Sequence, residues 1–308
     1  MVVLTINNSS FSQVTDAEKS LRTVTADTAQ GWKTGGVFAV NLSQTSLKNW
    51  AAGGQNSVAV NGIFSVFANL KKGNSAWDNS LDIGYGLLKQ GVEDFRKTDD
   101  KIDLVSKYGQ KAFSNFYYAG LVNFKTQMTE GYNYPDKTSP ISDLFAPAYL
   151  LAALGLDYKP NAYFTAFIAP VTAKFTFVLD DKLSAAGAFG VDPGSKVKSE
   201  MGGYLRASYS KNDFKGEFMK NISLTTKIDL FSNYAHNPQN IDVSWETLIA
   251  MKVNKYISVN LNTHLLYDDD ILIRIDRNDN GVLSDPVDLP GKRIQFKEIF
   301  GVGFSYKF

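Results

Sequence analysis

The residue types that carry chemistry are few in this 308-residue chain and lie scattered along it. There are two histidines, His236 and His264, and no cysteine, which removes disulfides, thiolate zinc sites and cysteine nucleophiles. One local motif supplies oxygen ligands. Asp276-Arg-Asn278-Asp-Asn280-Gly281 matches the first half of a calcium loop, D-x-[DN]-x-[DN]-G, where side-chain oxygens at positions 1, 3 and 5 converge and the Gly allows a sharp turn. Asp276, Asn278 and Asn280 are therefore candidate Ca2+ ligands in the loop 268–292. The twelfth position is Val287 rather than a bidentate Glu, so Asp285 or Asp288 would have to complete the shell, and the same residue types make ordinary solvated loops. The remaining charges nearly cancel: Lys and Arg number 32, Asp and Glu 31. A net charge of +1 offers no footprint for nucleic acid.

The elements that must position these residues are strands. At the C-terminus Phe300, Val302, Phe304, Tyr306 and Phe308 alternate with Gly301, Gly303, Ser305 and Lys307, a period-2 pattern with one apolar and one polar face. In water such a strand is an aggregation hazard unless covered. In a transmembrane β-barrel its apolar face meets lipid. The charge on that face, Glu298, lies ten steps from Phe308; at about 3.3 Å per residue and a tilt of about 40° this is a rise of roughly 25 Å, which puts Glu298 at the far rim of an apolar band.

Alternation of this kind recurs. Segments at about 36–43, 58–70, 77–87, 102–108, 116–128, 148–157, 163–178, 201–210, 221–231, 241–253, 257–267 and the final stretch give about twelve strands. Pro170 inside the seventh predicts a bulge or an early exit from the membrane. Connections after even strands are mostly tight and those after odd strands mostly long, the longest starting near Glu130, Asp180 and Asp268. Short periplasmic turns and long external loops are the barrel pattern, whereas a soluble sandwich has no reason to segregate them. No apolar run reaches the 18 or so residues of a spanning helix. The expectation is an all-β chain: a closed antiparallel transmembrane β-barrel of about twelve strands, with the N- and C-termini periplasmic. Residues 13–34 read as a periplasmic lead-in with a short helix from Thr15 to about Arg22, and residues 1–12 as the remnant of a signal peptide or a disordered leader. Residues 35–308 form the barrel domain. Trp32, Trp50 and Trp77 are candidates for its interfacial girdles.

Strand parity then assigns an inward, lumen-lining set: Asp82, Asp103, Lys107, Lys125, Arg206, Lys227, Asp229, Glu246, Lys252, His264 and Lys297. Both signs are present. Opposed charges can line a narrow polar conduit, or they can pair and fill the lumen, because a buried charge without a partner is costly.

Several blocks carry a family resemblance: Gly31-Trp-Lys-Thr-Gly-Gly36, Asn49-Trp-Ala-Ala-Gly-Gly54, Ser139-Pro-Ile-Ser-Asp-Leu-Phe-Ala-Pro147, Tyr267-Asp-Asp-Asp270, and Arg293 through Phe308. They resemble a Bacteroidetes-type outer-membrane β-barrel family catalogued as a domain of unknown function. The resemblance implies an outer-membrane barrel in a double-membraned bacterium and no activity. The partners expected are outer-membrane lipid and, through a C-terminal insertion signal at Tyr306 and Phe308, the barrel-assembly machinery. An envelope protein reached through the long loops or the N-terminal segment is a further expected partner.

Two functions follow, a narrow or gated channel for small polar solutes and a non-conducting structural or accessory barrel in an envelope complex. A phospholipase-like barrel is a remote third, since that enzyme sets a His and a Ser two positions apart on a lipid-facing strand. Here His264 is followed two residues on by Leu266 and His236 by Pro238, and parity turns His264 inward. No nucleophile, base and orienting group come together, so the chain reads as a non-enzyme.

Overall fold

The structure, a computed structural model, describes residues 30–48, 54–134, 136–161, 163–211, 213–217, 219–252, 257–273 and 289–304. Its strands are β1 (Gly31–Thr45), β2 (Ser57–Lys72), β3 (Ser75–Gln90), β4 (Arg96–Phe113), β5 (Phe116–Thr126), β6 (Gly131–Tyr132), β7 (Pro140–Ser142), β8 (Ala148–Tyr158), β9 (Phe164–Phe177), β10 (Val197–Lys211), β11 (Ile222–Asn233), β12 (Ile241–Lys252), β13 (Ile257–Tyr267), β14 (Leu272–Ile273), β15 (Gly291–Lys292) and β16 (Gln295–Phe304). Among the described residues one α-helix, α1 (Asp181–Ala185), stands in the connection between β9 and β10, followed by a 3-10 turn (Ala188–Gly190). Twelve strands form one sheet in the order β1-β2-β3-β4-β5-β8-β9-β10-β11-β12-β13-β16, each antiparallel to its neighbour. The chain is thus an antiparallel meander, as the alternation predicts. β1 begins at Gly31, four residues before the boundary at 35 drawn from sequence, and β4 extends well beyond 102–108.

The sheet is curled. Side chains from strands that are not neighbours meet on one face: Lys174 on β9 reaches Asp242 on β12 at 2.7 Å, and Asp103 on β4 lies within electrostatic range of Lys227 on β11. That inner face is the buried one. Along β11, Thr225, Lys227, Asp229 and Phe231 are buried and alternate with half-buried Thr226, Ile228 and Leu230. The outer face is apolar and open, with Leu104, Val122, Ile168 and Trp245 each between 45% and 51% exposed. Two groups of its polar side chains are hydrogen-bonded among themselves. Trp245 Nε1 donates to Thr226 Oγ1 (2.8 Å), which shares a hydrogen bond with the Thr247 hydroxyl (2.9 Å). Trp77 Nε1 donates to Ser106 Oγ (2.9 Å), Ser106 donates to Asn79 Oδ1 (2.7 Å), and Asn79 Nδ2 donates to the Ala68 carbonyl (3.0 Å).

The bulge expected at Pro170 is present. The register of β9 shifts against both neighbours there, between Leu154 and Leu156 on β8 and between Gly202 and Tyr204 on β10. Its consequence is a change of parity. Phe167 and Ala169 are buried below the bulge and Thr172 and Thr176 above it, so the inward set passes from odd to even numbers and takes Lys174 with it.

The two ends of the sheet differ. Tight turns join β2 to β3, β4 to β5, and β8 to β9; the start of β1 pairs with Lys71 beside the first of these turns, and the end of β16 pairs with Ile257, so β1 starts and β16 ends at the turn end. The loop end carries its own structure. In the connection 178–196, expected only as a Gly/Ala/Asp-rich loop, Asp180 caps α1 by accepting from Leu183 N (2.8 Å), and Leu183 packs with Val178, Val191 and Ala146 in a small core. Two short antiparallel pairs, β6–β7 and β14–β15, lie in the connections after β5 and β13.

Candidate functional site

The inner face is organised as three tiers of charge. At the turn end Asp157 accepts from Lys107 Nζ (2.7 Å) and from Thr165 Oγ1 (2.8 Å), with Lys159 Nζ 3.2 Å away and itself 3.9 Å from Asp78. In the middle tier Arg206 grips Asp229 through Nε (2.6 Å) and Nη2 (3.0 Å), and the Tyr204 hydroxyl donates to the same carboxylate (2.7 Å). Asp103 accepts from Asn123 Nδ2 (2.7 Å) and faces Lys125 at 3.7 Å and Lys101 at 3.8 Å. Lys227 pairs with Glu246 (3.0 Å), and His264 Nε2 shares a hydrogen bond with Ser244 Oγ (3.0 Å). At the loop end Lys174 Nζ faces Asp242 (2.7 Å), Glu200 (3.5 Å) and Asp268 (3.7 Å) and sits 4.9 Å from the Phe231 ring centre.

Of the eleven residues that parity turned inward, Asp103, Lys107, Lys125, Arg206, Lys227, Asp229, Glu246 and His264 thus take part in these contacts. Asp82 stands opposite Asp103 in the strand register, and Lys297 stands opposite His264. Lys252 keeps its place in β12 opposite Ser258, but its side chain lies outside the described residues. So do Asp276, Asn278 and Asn280, the candidate calcium ligands, together with Trp50, Tyr306, Phe308 and the segments 1–12 and 13–29. Sequence reasoning missed Asp157, Lys174, Glu200 and Asp242. Asp157, Glu200 and Asp242 sit at strand ends, just at or beyond the boundaries drawn, and Lys174 follows the bulge.

Not all of the interior is polar. Leu121, Phe167, Tyr204 and Phe231, each at most 5% exposed, pack with Ala119, Ala153 and Ala169 on the inner face, and the rings of Phe167 and Tyr204 meet edge to face at 6.3 Å. Above this plug a cavity of about 310 Å³ extends toward the loop end, floored by Lys125, Asp229 and His264 and walled by Tyr149, Lys174, Phe231, Asp242 and Tyr267.

Residues 42–132 match the family model described as Protein of unknown function (DUF3078). The matched segment runs from the end of β1 to the end of β6 and holds Asp82, Asp103, Lys107 and Lys125. Of the sequence blocks that carried the resemblance, Asn49–Gly54 falls inside it and the others fall outside. Among solved structures the chain is similar to the translocator domain of autotransporter NalP from Neisseria meningitidis, at 10% identity and a TM-score of 0.36, over 99% of this chain and 100% of that one. None of the curated proteins compared matches the chain.

Outside the strands, Asp269 organises the last long connection. It accepts from Lys292 Nζ (2.6 Å), Asn240 Nδ2 (2.6 Å) and Tyr267 OH (3.1 Å), which ties this loop to the connection before β12. The Lys292 hydrogen bond, ahead of those from Tyr267 and Asn240, holds the Asp269 carboxyl below its ordinary value, and Asp269 in turn raises Lys292. A lowered carboxyl contributes its full stabilisation above the unfolded-state value, and that contribution is lost as pH falls through the folded one. Hydrogen exchange at residues 268–273 is therefore expected to accelerate below about pH 4. The acceleration should be absent in Asp269→Asn, and equal acceleration in both proteins would remove Asp269 as its cause.

Proposed function

We propose that the chain is an outer-membrane β-barrel, closed by pairing of β1 with β16, whose lumen is stopped by its own paired side chains. The observation that carries this reading is the inverted polarity of the sheet. Charged residues are buried on the inner face, while Leu104, Val122, Ile168 and Trp245 lie open on the outer face. In water, apolar rows repeated on strand after strand would form an exposed patch far above the few hundred Å² a soluble monomer tolerates. In lipid they are the solvated face, and the hydrogen bonding of the outward Trp, Ser, Asn and Thr side chains meets the requirement that no polar group be left unpaired there. The aromatic side chains near the turn end, among them Trp32, Trp77 and Tyr108, then lie at the level of the headgroups. In this orientation the turn end and both chain ends face the periplasm.

Between the two functions drawn from sequence, the interior supports the non-conducting one. Asp103, Asp157, Lys227 and Asp229 are nearly inaccessible, and the packed residues around Phe167 occupy the same level. A barrel of this kind acts through its ends. Exposed Val92, Phe95 and Ile141 at the loop end offer apolar contacts to another envelope component. The test is planar-bilayer conductance of protein first shown to shift in gel mobility on heating, as an intact barrel does. Silence over a wide voltage range is expected. Discrete steps whose ion selectivity changes on charge reversal at Lys227 or Glu246 would instead establish the narrow-channel reading.

A further inference from the structure

At the turn end the inner face carries more positive charge than its carboxylates offset. Lys33 on β1, Lys71 on β2, Lys107 and Lys111 on β4, and Lys159 just beyond β8 follow the inward parity of buried Asn69, Asp103 and Asp157. In the strand register Lys33 stands opposite Asn69, and Lys111 opposite Tyr117. Two carboxylates face this arc, and both are engaged: Asp157 by Lys107 (2.7 Å) and Lys159 (3.2 Å), Asp78 by Lys159 (3.9 Å). Among the described residues Lys33, Lys71 and Lys111 meet no carboxylate. The connection from Lys211 to Ile222 at the same end supplies no spare acid, because Asp213 pairs with Lys211 and Glu217 with Lys220. By sequence, residues 1–29 carry Asp16, Glu18 and Asp27 against Lys19 and Arg22, too small an excess to balance the arc.

Lys71 supplies a second observation. It is half-buried, and its ammonium lies 5.9 Å from the centre of the Tyr117 ring, which Lys159 shares at 5.3 Å. Two ammonium groups on one ring, one of them without a counterion, repel each other, and an anion between them relieves the repulsion. The site is also blind on its inner side, where the tier of Asp157 and the packed residues around Phe167 follow.

We infer that this turn-end mouth docks an acidic segment of a partner protein, whose carboxylates take Lys33, Lys71 and Lys111. The spread of the lysines favours a segment over a compact anion. They stand on β1, β2 and β4, and neighbouring strands are about 4.8 Å apart, so a phosphate reaches one or two of them while an extended chain with several carboxylates reaches all three. The inference rests on the reading above of a stopped barrel that acts through its ends, and it gives the periplasmic end a partner of defined charge.

Titration calorimetry of the full chain, folded in uncharged detergent and shown to shift in gel mobility on heating, tests it with hexaglutamate. Saturable binding near one peptide per chain is expected, weakening as salt rises, with inorganic phosphate and hexalysine at least about tenfold weaker. The double variant Lys71→Gln, Lys111→Gln should lose about tenfold or more in hexaglutamate affinity, whereas Lys137→Gln, at the loop end beside Asp94, should lose nothing. Reversal of both charges, Lys71→Glu with Lys111→Glu, should abolish hexaglutamate binding and create binding of hexalysine; misfolding does not produce such an exchange. Absence of heat at about 5 mM hexaglutamate, equal affinity in the double variant and the parent, or binding of dextran sulfate without hexaglutamate each overturns the inference, the last in favour of a polymer other than protein. A heat-shifted barrel that gives no heat loses only this assignment, whereas loss of the gel shift itself removes the membrane reading.

Discussion

Replacing Arg206 with methionine is expected to lower the unfolding free energy by about 3–5 kcal/mol, the usual cost of breaking a buried ion pair from one side. The magnitude follows from what is left behind. Asp229 is about a tenth exposed, accepts two hydrogen bonds from the guanidinium, and would retain only the one from the Tyr204 hydroxyl. Its neighbours Tyr204 and Phe231 belong to the packed plug, which limits the water that can take the place of the lost donors. The double variant Arg206→Met, Asp229→Leu removes both charges and should recover most of the loss, since a well-packed apolar pair is often as stable as the ion pair it replaces. Urea unfolding in phospholipid vesicles, followed by the heat-dependent gel shift, measures all three proteins. A cost below about 1 kcal/mol for the single variant would mean the pair is solvated like a surface salt bridge, and the lumen would have to be wet.

The second large effect concerns the other face. Val122 lies mid-strand on β5 and is 46% exposed. On a soluble sheet, Val122→Arg would fall within about ±0.5 kcal/mol, because the guanidinium would simply be hydrated. At the midplane of a bilayer it should cost about 2–4 kcal/mol. Tyr118→Arg, four residues nearer the turn end on the same face, should cost no more than about 1 kcal/mol, because arginine near the interface can reach headgroups. Equal and small effects at both positions would sink the membrane reading, and a graded pair would measure the depth of each residue.

Much of this architecture was legible because an alternation of two is the simplest signal a strand can carry. In the segments around Leu104 and Ile228, outward apolar and inward polar residues repeat cleanly, and the strand count and loop asymmetry follow from that. The inward charges Asp103, Arg206 and Asp229 were readable by parity alone. Their pairing was not, because Lys174 and Asp242 are 68 residues apart and meet only through the curl of the sheet. The plug was hidden for another reason: Leu121, Phe167 and Phe231 are apolar on the polar face, and a rule that sorts residues by polarity has no place for them. Glu200 and Asp242 escaped because strand ends carry too few residues for alternation to fix a boundary.

The bulge in β9 also makes the number of residues in that strand a specification in its own right. Phe167 and Lys174 are separated by an odd count, yet both belong to the inner face, one in the plug and one at the mouth. On the proposed membrane reading, composition is therefore not what keeps the ammonium out of the hydrocarbon; the single supernumerary residue beside Pro170 does. Loss of one residue there would leave every side chain type around it intact and still put half the strand out of phase, with Lys174 on the outer face and Phe175 in its place among the carboxylates. Paired gains or losses preserve the phase, so length changes in this strand are tolerated in steps of two.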